Sequence, residues 1–528
     1  MKKLSIMLLV LLIAVTGLFA GGGQEAEEEP VEFVLYNGGE PQSLDPANIS
    51  GVPEHRIYMS LFEGLVSYDP ETLEATPGVA ESWEVSDDGM QYTFHLREDA
   101  QWSDGTPITA QTFVDSWLRF LSPDTAAVYS YMVNMVIAGA RDYNAGEAGP
   151  DAVQIRAVDD HTFQFDLTGP APYVLGMLAH YAFAPVPLHV IEEYGDEWTR
   201  PENFVGNGPF TLENWRPQQE LTVVPNETYW DAEAVQLDRV VYLPIEDNVT
   251  AYNMYKNGEM DWCTTVPLDS LDEARLREDY HNNPALITYY YVFNVEREPL
   301  DDSRVRKALS MAIDRQELVE MVTRGGQIPA FDVCPPLNGY EPVEGNPEDF
   351  DLAREYLADA GFPGGEGFPE LEILYNTSEG HRKIAEYIQQ KWSEVLGIDV
   401  TLVNQEWQTY LASRNEHDFE IARAGWAGDY QDPNTFLDMF ITGSGNNSGE
   451  YSNPEYDRLI DEAATMPGGP ERNEVLRRAS QILHNEDQGI MPLYYYAITN
   501  MIDTDVWGGW YENTLDIHPL KDIYRIPE

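Results

Sequence analysis

Basic residues are scarce in this 528-residue chain: 31 Lys and Arg stand against 91 Asp and Glu, a formal net charge of −60. Only seven of those bases are Lys. The deficit excludes nucleic acid as a partner, because phosphate binding needs a basic face. It also disfavours adhesion to an anionic membrane. Cysteine is scarcer still. Cys263 and Cys334 are the only two, and whether they pair is left open. Past the first twenty residues no apolar run is long enough to cross a bilayer. Tandem repeats and heptads are missing. So are G-x-S-x-G, H-E-x-x-H, Cys-x-x-Cys and the P-loop. Gly443-Ser-Gly lies in a polar loop, and Gly206-Asn-Gly lacks a third glycine and a βαβ setting, so it reads as a turn. Acids are too abundant for their proximity to mean anything, and the Asn-x-Ser/Thr sites at Asn226, Asn248, Asn376 and Asn446 read as chance.

What is present begins with an export signal. Lys2 and Lys3 precede an apolar stretch over residues 4–14, and Thr16, Gly17 and Ala20 supply a small-residue end. Residues 1–20 are read as a signal peptide. No Cys follows it; Gly21-Gly-Gly stands there, opening a low-complexity leader over 21–29 that is expected to be disordered. The expectation is a periplasmic protein without a lipid anchor. Removing the signal leaves 29 bases against 91 acids, a charge of −62. Such a charge repels itself in dilute buffer, and screening within about 3 Å at molar salt relieves it. A salt-loving host is the natural reading.

Periodicity places the elements. Val31, Phe33 and Leu35 alternate as a strand, and residues 371–375 read as another. A helix follows from Glu379 to Leu396 with an apolar stripe of Ile384, Ile388, Trp392 and Val395, ended by Gly397. Ile398, Val400 and Leu402 then alternate. This β-α-β unit predicts a mainly parallel sheet in the C-terminal half. A second helix is predicted from Ser303, its cap, through Val305, Leu309, Ile313 and Val319 to Gly325-Gly326. Residues 92–96 and 162–167 read as strands of a separate, antiparallel region. The length exceeds one ordinary core, so two or three domains are expected.

The segment Asp418-Phe-Glu-Ile-Ala-Arg-Ala-Gly-Trp-Ala-Gly-Asp-Tyr-Gln-Asp-Pro carries the chemistry. Residues 419–422 read as a short strand that ends in a small-residue turn bearing Arg423, Gly425, Trp426, Gly428 and Asp429. The cation can hold a carboxylate, the anion an ammonium, and the Trp an apolar wall. A zwitterion such as a free peptide satisfies both charges together.

That segment, with Pro433 and Phe436, resembles the signature of bacterial periplasmic oligopeptide-binding proteins, the receptors of ABC peptide importers in solute-binding protein family 5. Pro77-Gly-Val-Ala-Glu-Ser-Trp, Tyr92-Thr-Phe-His-Leu-Arg, Trp102-Ser-Asp-Gly-Thr-Pro and Asp302-Ser-Arg-Val-Arg-Lys-Ala-Leu resemble the wider family, whose members also take dipeptides, nickel chelates or sugars. Leu374-Tyr-Asn-Thr-Ser, Asn404-Gln-Glu-Trp, Asn446-Asn-Ser and Tyr494-Tyr-Tyr resemble its peptide-binding branch. The resemblance implies an α/β, two-lobed periplasmic binding protein fold of the class II type, with mixed sheets and an additional small α+β domain. Lobe I would take 21–62, 187–284 and 498–528, the extra domain 63–186 and lobe II 285–497, with chain crossings near 287–294 and 491–497 as the hinge.

By the same resemblance, Asp429 is the partner of a peptide ammonium, and backbone near Arg423 and Gly425 adds the peptide as a strand. Arg423 and His381 resemble the carboxylate partners for short peptides, and Arg414 a further pocket cation. Trp407 and Trp426 resemble pocket walls. Asn446, Ser448, Tyr496 and Val52 complete the expected contacts. The family's disulfide would fall at Ile287 and Ala427, so it is absent here. Other departures are Thr323 for a Lys, with Arg324 adjacent; Val292 for a pocket acid; Ala285 for a pocket Tyr; and Ser50 for the acid before Gly51-Val-Pro. The implied function is capture of short peptides for the membrane permease subunits of an importer, by a monomer without cofactor or metal. A receptor for dipeptides or murein peptides is the alternative within the family, and a periplasmic peptidase the distant one.

The charge yields a first prediction. Raising sodium chloride from low to molar concentration should raise the melting temperature of the mature protein. A flat or falling melting temperature in calorimetry would remove the salt-loving reading and leave the peptide reading intact.

Overall fold

Two long strands organise the molecule. In the computed structural model, which describes residues 30–171, 173–337 and 339–527, Tyr280–Phe293 and Ile490–Ile502 run antiparallel beside each other. The signal-peptide and leader readings lie outside the described residues. In chain order the strands are β1 (Glu32–Tyr36), β2 (Val66–Tyr68), β3 (Ala75–Pro77), β4 (Ala80–Val85), β5 (Gln91–Leu96), β6 (Ile155–Asp159) and β7 (Thr162–Asp166). There follow β8 (Phe210–Arg216), β9 (Glu220–Pro225), β10 (Arg239–Leu243), β11 (Trp262–Cys263), β12 (Tyr280–Phe293) and β13 (Ile328–Pro329). The last considered are β14 (Leu371–Asn376), β15 (Val400–Gln405), β16 (Ile421–Ala427) and β17 (Ile490–Ile502).

The large sheet has the order β15-β14-β16-β12-β17-β11-β1-β10-β9-β8, with β13 beside β17. β12 and β17 thus join two strand groups, one made from residues before β12 and one from residues after it. Both are rich in Tyr and apolar residues and are buried on both faces where they cross. Alternation would fail there, since neither face meets water. β4-β5-β7-β6 form a separate antiparallel sheet. The helix Ala110–Leu121 packs on it through Trp117, whose ring meets Phe163 edge-on at 5.0 Å.

The predicted β-α-β unit is present. Glu379–Leu396 is helical with Ile384, Ile388, Trp392 and Val395 buried, and Gly397 ends it at φ 71. That positive φ is the left-handed turn glycine adopts without strain. The expected mainly parallel sheet is not present. β14 pairs in parallel with β15 and β16, but β12 pairs antiparallel with both β16 and β17. The two crossing strands each bring the chain back through the same sheet, which forces the mixture.

The helix expected from Ser303 breaks early. It spans Ser303–Met311 and is capped by Asp302 rather than Ser303. Asp314 caps a new turn, and Leu318–Thr323 is π-helical. The cause is Arg315, whose buried guanidinium donates to the carbonyls of Ser310, Ile313 and Pro492. Those donors satisfy helix-end carbonyls that a continuous helix would have bonded itself. Cys263 and Cys334 are both free and buried.

One buried ion pair fixes the turn after β16. Arg472, 1% exposed, donates from both terminal nitrogens to Asp432 at 2.8 Å. Such a pair adds little over an apolar isostere, but removing one partner strands the other charge. Arg472→Met should therefore destabilise by about 3–5 kcal/mol in urea unfolding. A loss within a few tenths of a kcal/mol would mean that water reaches Asp432.

Candidate functional site

β16 runs five residues further than expected. The strand does not stop at Ala422; it continues through Ala427, because β12 pairs with it residue by residue from Ile421 to Ala427. Arg423, Gly425 and Trp426 are therefore strand residues, not turn residues, and only Gly428 and Asp429 lie beyond its end. Alternation sends Ala422, Ala424 and Trp426 into buried positions, while Arg423, Gly425 and Ala427 keep partial exposure. On its other edge β16 pairs with β14 only at Ile421 and Ala422. Among the described residues, 423–427 have no second strand beside them. An extended segment can add there.

A cavity of about 430 Å³ opens along that edge. Of the residues expected at a site, Asp429, Arg423, Gly425, Trp426, Trp407, Arg414, His381, Asn446, Tyr496 and Val52 all line it. Ser448 does not. It is buried behind the wall, where its hydroxyl accepts from the Arg414 guanidinium at 3.2 Å. The correction has a simple origin: the Asn446-Asn-Ser loop turns inward after Asn446, whose amide donates to the Tyr131 hydroxyl at 3.3 Å. Ile287 and Ala427, the positions of the missing disulfide, face each other across β12 and β16.

The cavity is electrostatically divided. At one end Asp429, 10% exposed, lies 3.4 Å from the ring of the buried His180. Its backbone N–H donates to Thr435 at 3.0 Å, and its carbonyl accepts from Tyr68 at 3.4 Å. Burial pushes its carboxyl well above the usual carboxylate range. Burial also pushes His180 down to about 3, so the ring is neutral and supplies no charge. Among the described residues, Asp429 Oδ2 has no hydrogen-bond partner, nor has the neighbouring Trp426 indole N–H.

Arg423 supplies a cation at another part of the wall. Its terminal nitrogens donate to Tyr496 at 3.0 Å and Asn376 at 3.3 Å, and its plane lies 5.0 Å from the Tyr289 ring. Its Nε is unpartnered. A methyl group at Gly425 would sit 3.2 Å from that guanidinium, so glycine keeps the approach clear. His381 is held by Tyr289 at 3.3 Å, and burial, with Arg423 alongside, lowers its pKa well below the ordinary value. His381 is thus a neutral hydrogen-bonding group, not a second cation. Thr323 is buried and bonded to Gln327, and Arg324 pairs with Asp272 at the surface, so neither supplies the cation of the departed Lys.

Several cavity groups escaped the sequence reading. His55, Arg56, Tyr129, Tyr181, Glu246 and Asp516 line it too, and His180 stands behind it. They come from segments far from β16 in the chain, and none sits in a motif of its own. Trp407 crosses the cleft. Its backbone N–H donates to Glu246 at 3.3 Å and its indole N–H to Glu54 at 3.4 Å. Gly39 and Gly51 lie under its ring, where a Cβ would come within about 3.2 Å.

Comparison with known proteins assigns the class. The family described as bacterial extracellular solute-binding proteins, family 5, matches residues 74–448, and the chain belongs to that family. It is 38% identical over 532 residues to the periplasmic oligopeptide-binding protein OppA of Salmonella typhimurium, covering 97% of each chain. The fold is similar to Haemophilus influenzae OppA in complex with the peptide RPPGFSPFR, at TM-score 0.90 and 34% identity over 95% of this chain and 100% of that one. Against the unliganded open form of the murein tripeptide-binding protein MppA the TM-score is 0.63, at 37% identity over 95% and 98%. The arrangement here is therefore close to that of the peptide complex and unlike that of the open form. Among the described residues no helix is long and apolar enough to cross a membrane.

Glu54 is buried beneath Trp407, which gives the next prediction. Its carboxyl accepts from Gln42 N–H at 2.9 Å and from Trp407, and burial pushes it up to about 7. A carboxyl raised on burial costs stability as pH rises from the ordinary carboxylate range through that value. Glu54→Gln should thus stabilise the protein at pH above 7, by up to about 3 kcal/mol, and hardly at all near pH 5. Equal melting shifts at both pH values would show that Glu54 is not held in this environment.

Proposed function

We propose that this protein captures free peptides of a few residues between its lobes and presents them to the membrane subunits of an ABC importer, after export to the periplasm. One observation carries the reading: Asp429 is a buried carboxyl on the cavity wall with, among the described residues, an unpartnered oxygen and no cation beside it. An ionised carboxylate held there is costly until a positive group arrives. A peptide ammonium fits that place, and Arg423 with Tyr496 and Asn376 fits the carboxylate. Between them the free edge of 423–427 spans roughly 17 Å at strand spacing, the length of about five extended residues. Trp407, Trp426 and Val52 would wall the side-chain spaces, with Arg414, Asn446 and neutral His381 as polar contacts.

The names of the relatives support peptides as the ligand class, and the periplasm as the address, because the similar proteins carry those terms. The similarity to a murein tripeptide receptor keeps that narrower reading open as the second choice. We read the site as one that holds rather than cuts, since the imidazole nearest Asp429 contacts that carboxylate and no hydroxyl nucleophile is poised on it. The lobe boundaries proposed are 21–62, 187–284 and 498–528 for lobe I, 63–186 for the extra domain and 285–497 for lobe II. β12 and β17 would form the hinge.

Asp429→Asn keeps the shape and removes the charge. It should weaken binding of a free tripeptide at least about a hundredfold in calorimetry, about 2.7 kcal/mol. The N-acetylated tripeptide should bind the native protein comparably poorly. Equal affinities for free and acetylated peptide would take Asp429 out of this role.

A further inference from the structure

Three guanidinium groups line the cavity, and they are not equally committed. Arg56 is buried against Trp262, donates to Asn37 at 3.4 Å and faces Asp516 at 4.0 Å. Arg423 is held by Tyr496 and Asn376 and is matched, in the proposed function, by the peptide's terminal carboxylate. Arg414 is different. Among the described residues no Asp or Glu lies within 4.0 Å of it, although the chain has almost three acids per base. Its contacts are neutral: the Ser448 hydroxyl at 3.2 and 3.4 Å and the Tyr410 ring, 5.7 Å away.

The acids of the cavity are engaged elsewhere. Asp516 accepts from Asn500 and His518 at 2.9 Å and faces Arg56. Glu246 accepts from the Trp407 backbone N–H. Asp429 lies by His180. Ser50, where the family pattern carries an acid, lines the cavity with a neutral hydroxyl. Val292, where it carries another, is 3% exposed and packs against Gly449. Among the described residues, a half-buried cation on the cavity wall therefore has no counter-charge. Asn446, two residues from the Ser448 that steadies Arg414, lines the same cavity and has a second amide N–H to give.

We propose that Arg414, with Asn446, forms a side-chain subsite for a carboxylate, so that this receptor selects peptides carrying Asp or Glu. The selection rests on the peptide reading above and adds to it a substrate class. A guanidinium beside an amide N–H offers a carboxylate charge-assisted hydrogen bonds on a half-buried wall. A neutral side chain of the same shape leaves the cation unmatched, and a Lys side chain is repelled.

The test is a tripeptide scan at molar sodium chloride near neutral pH, placing Glu, Gln or Lys in turn at each position of an otherwise alanine peptide. Calorimetry should give about a tenfold preference for Glu over Gln at one position, and weaker binding of Lys there. In Arg414→Met that Glu-to-Gln ratio should fall to near one, whatever the absolute affinities; in Arg414→Lys most of it should persist. Equal binding of Glu and Gln peptides at every position of the native protein overturns the proposal without touching peptide capture. So does a preference that survives Arg414→Met, or one in which Arg414→Met weakens Glu and Gln peptides alike. Absence of binding by any tripeptide, including trialanine, overturns the peptide reading and this inference together.

Discussion

An ionised group without a partner in a low-dielectric place is the costliest arrangement a fold can maintain. At Asp429 this protein buries a carboxyl with no positive charge beside it, among the described residues, to hold it ionised. Its carboxyl is walled by Tyr68, His180 and the turn to Thr435, yet none of them brings a positive charge. Burial raises its pKa instead. Elsewhere the same chain shows what a finished buried charge looks like: Asp432, three residues on, is met by both nitrogens of Arg472 at 2.8 Å. We propose that the contrast within one turn separates a structural acid from one completed by a ligand.

The fold makes that arrangement sustainable. β12 and β17 cross between the strand groups and carry β16 on a rigid edge. β14 leaves that edge after two residues, so 423–427 keep backbone groups for an added strand. The Arg472–Asp432 pair anchors the turn that holds Asp429. Trp407 reaches from one wall to Glu54 and Glu246 on the other. A ligand that touches both walls therefore stabilises the closed arrangement over the open one, by its differential contacts with the two.

Much of this was legible in the sequence. The helix Glu379–Leu396 matched its periodicity to the residue, because a one-sided apolar stripe and a terminal glycine leave few alternatives. That Arg423, Gly425, Trp426 and Asp429 share a cavity was legible because they are close in the chain. His180, His55 and Arg56 were not, since a residue that reaches a site through the fold leaves no local pattern. The β16 boundary was misread because small residues such as Gly425 and Gly428 look like turn residues. Sheet polarity was misread for a related reason: a local β-α-β unit says nothing of two strands returning from distant parts of the chain. The broken helix after Met311 depended on where Arg315 finds its carbonyls, which spacing alone does not reveal.

The central claim is that the unpartnered oxygen of Asp429 is completed by a peptide's ammonium. A crystal structure of the mature protein with a free tripeptide tests it most directly. The account predicts the ammonium nitrogen within about 3 Å of Asp429 Oδ2, the peptide backbone paired along 423–427 and its carboxylate at Arg423. An ammonium placed elsewhere, with Asp429 contacting only protein or water, would contradict it.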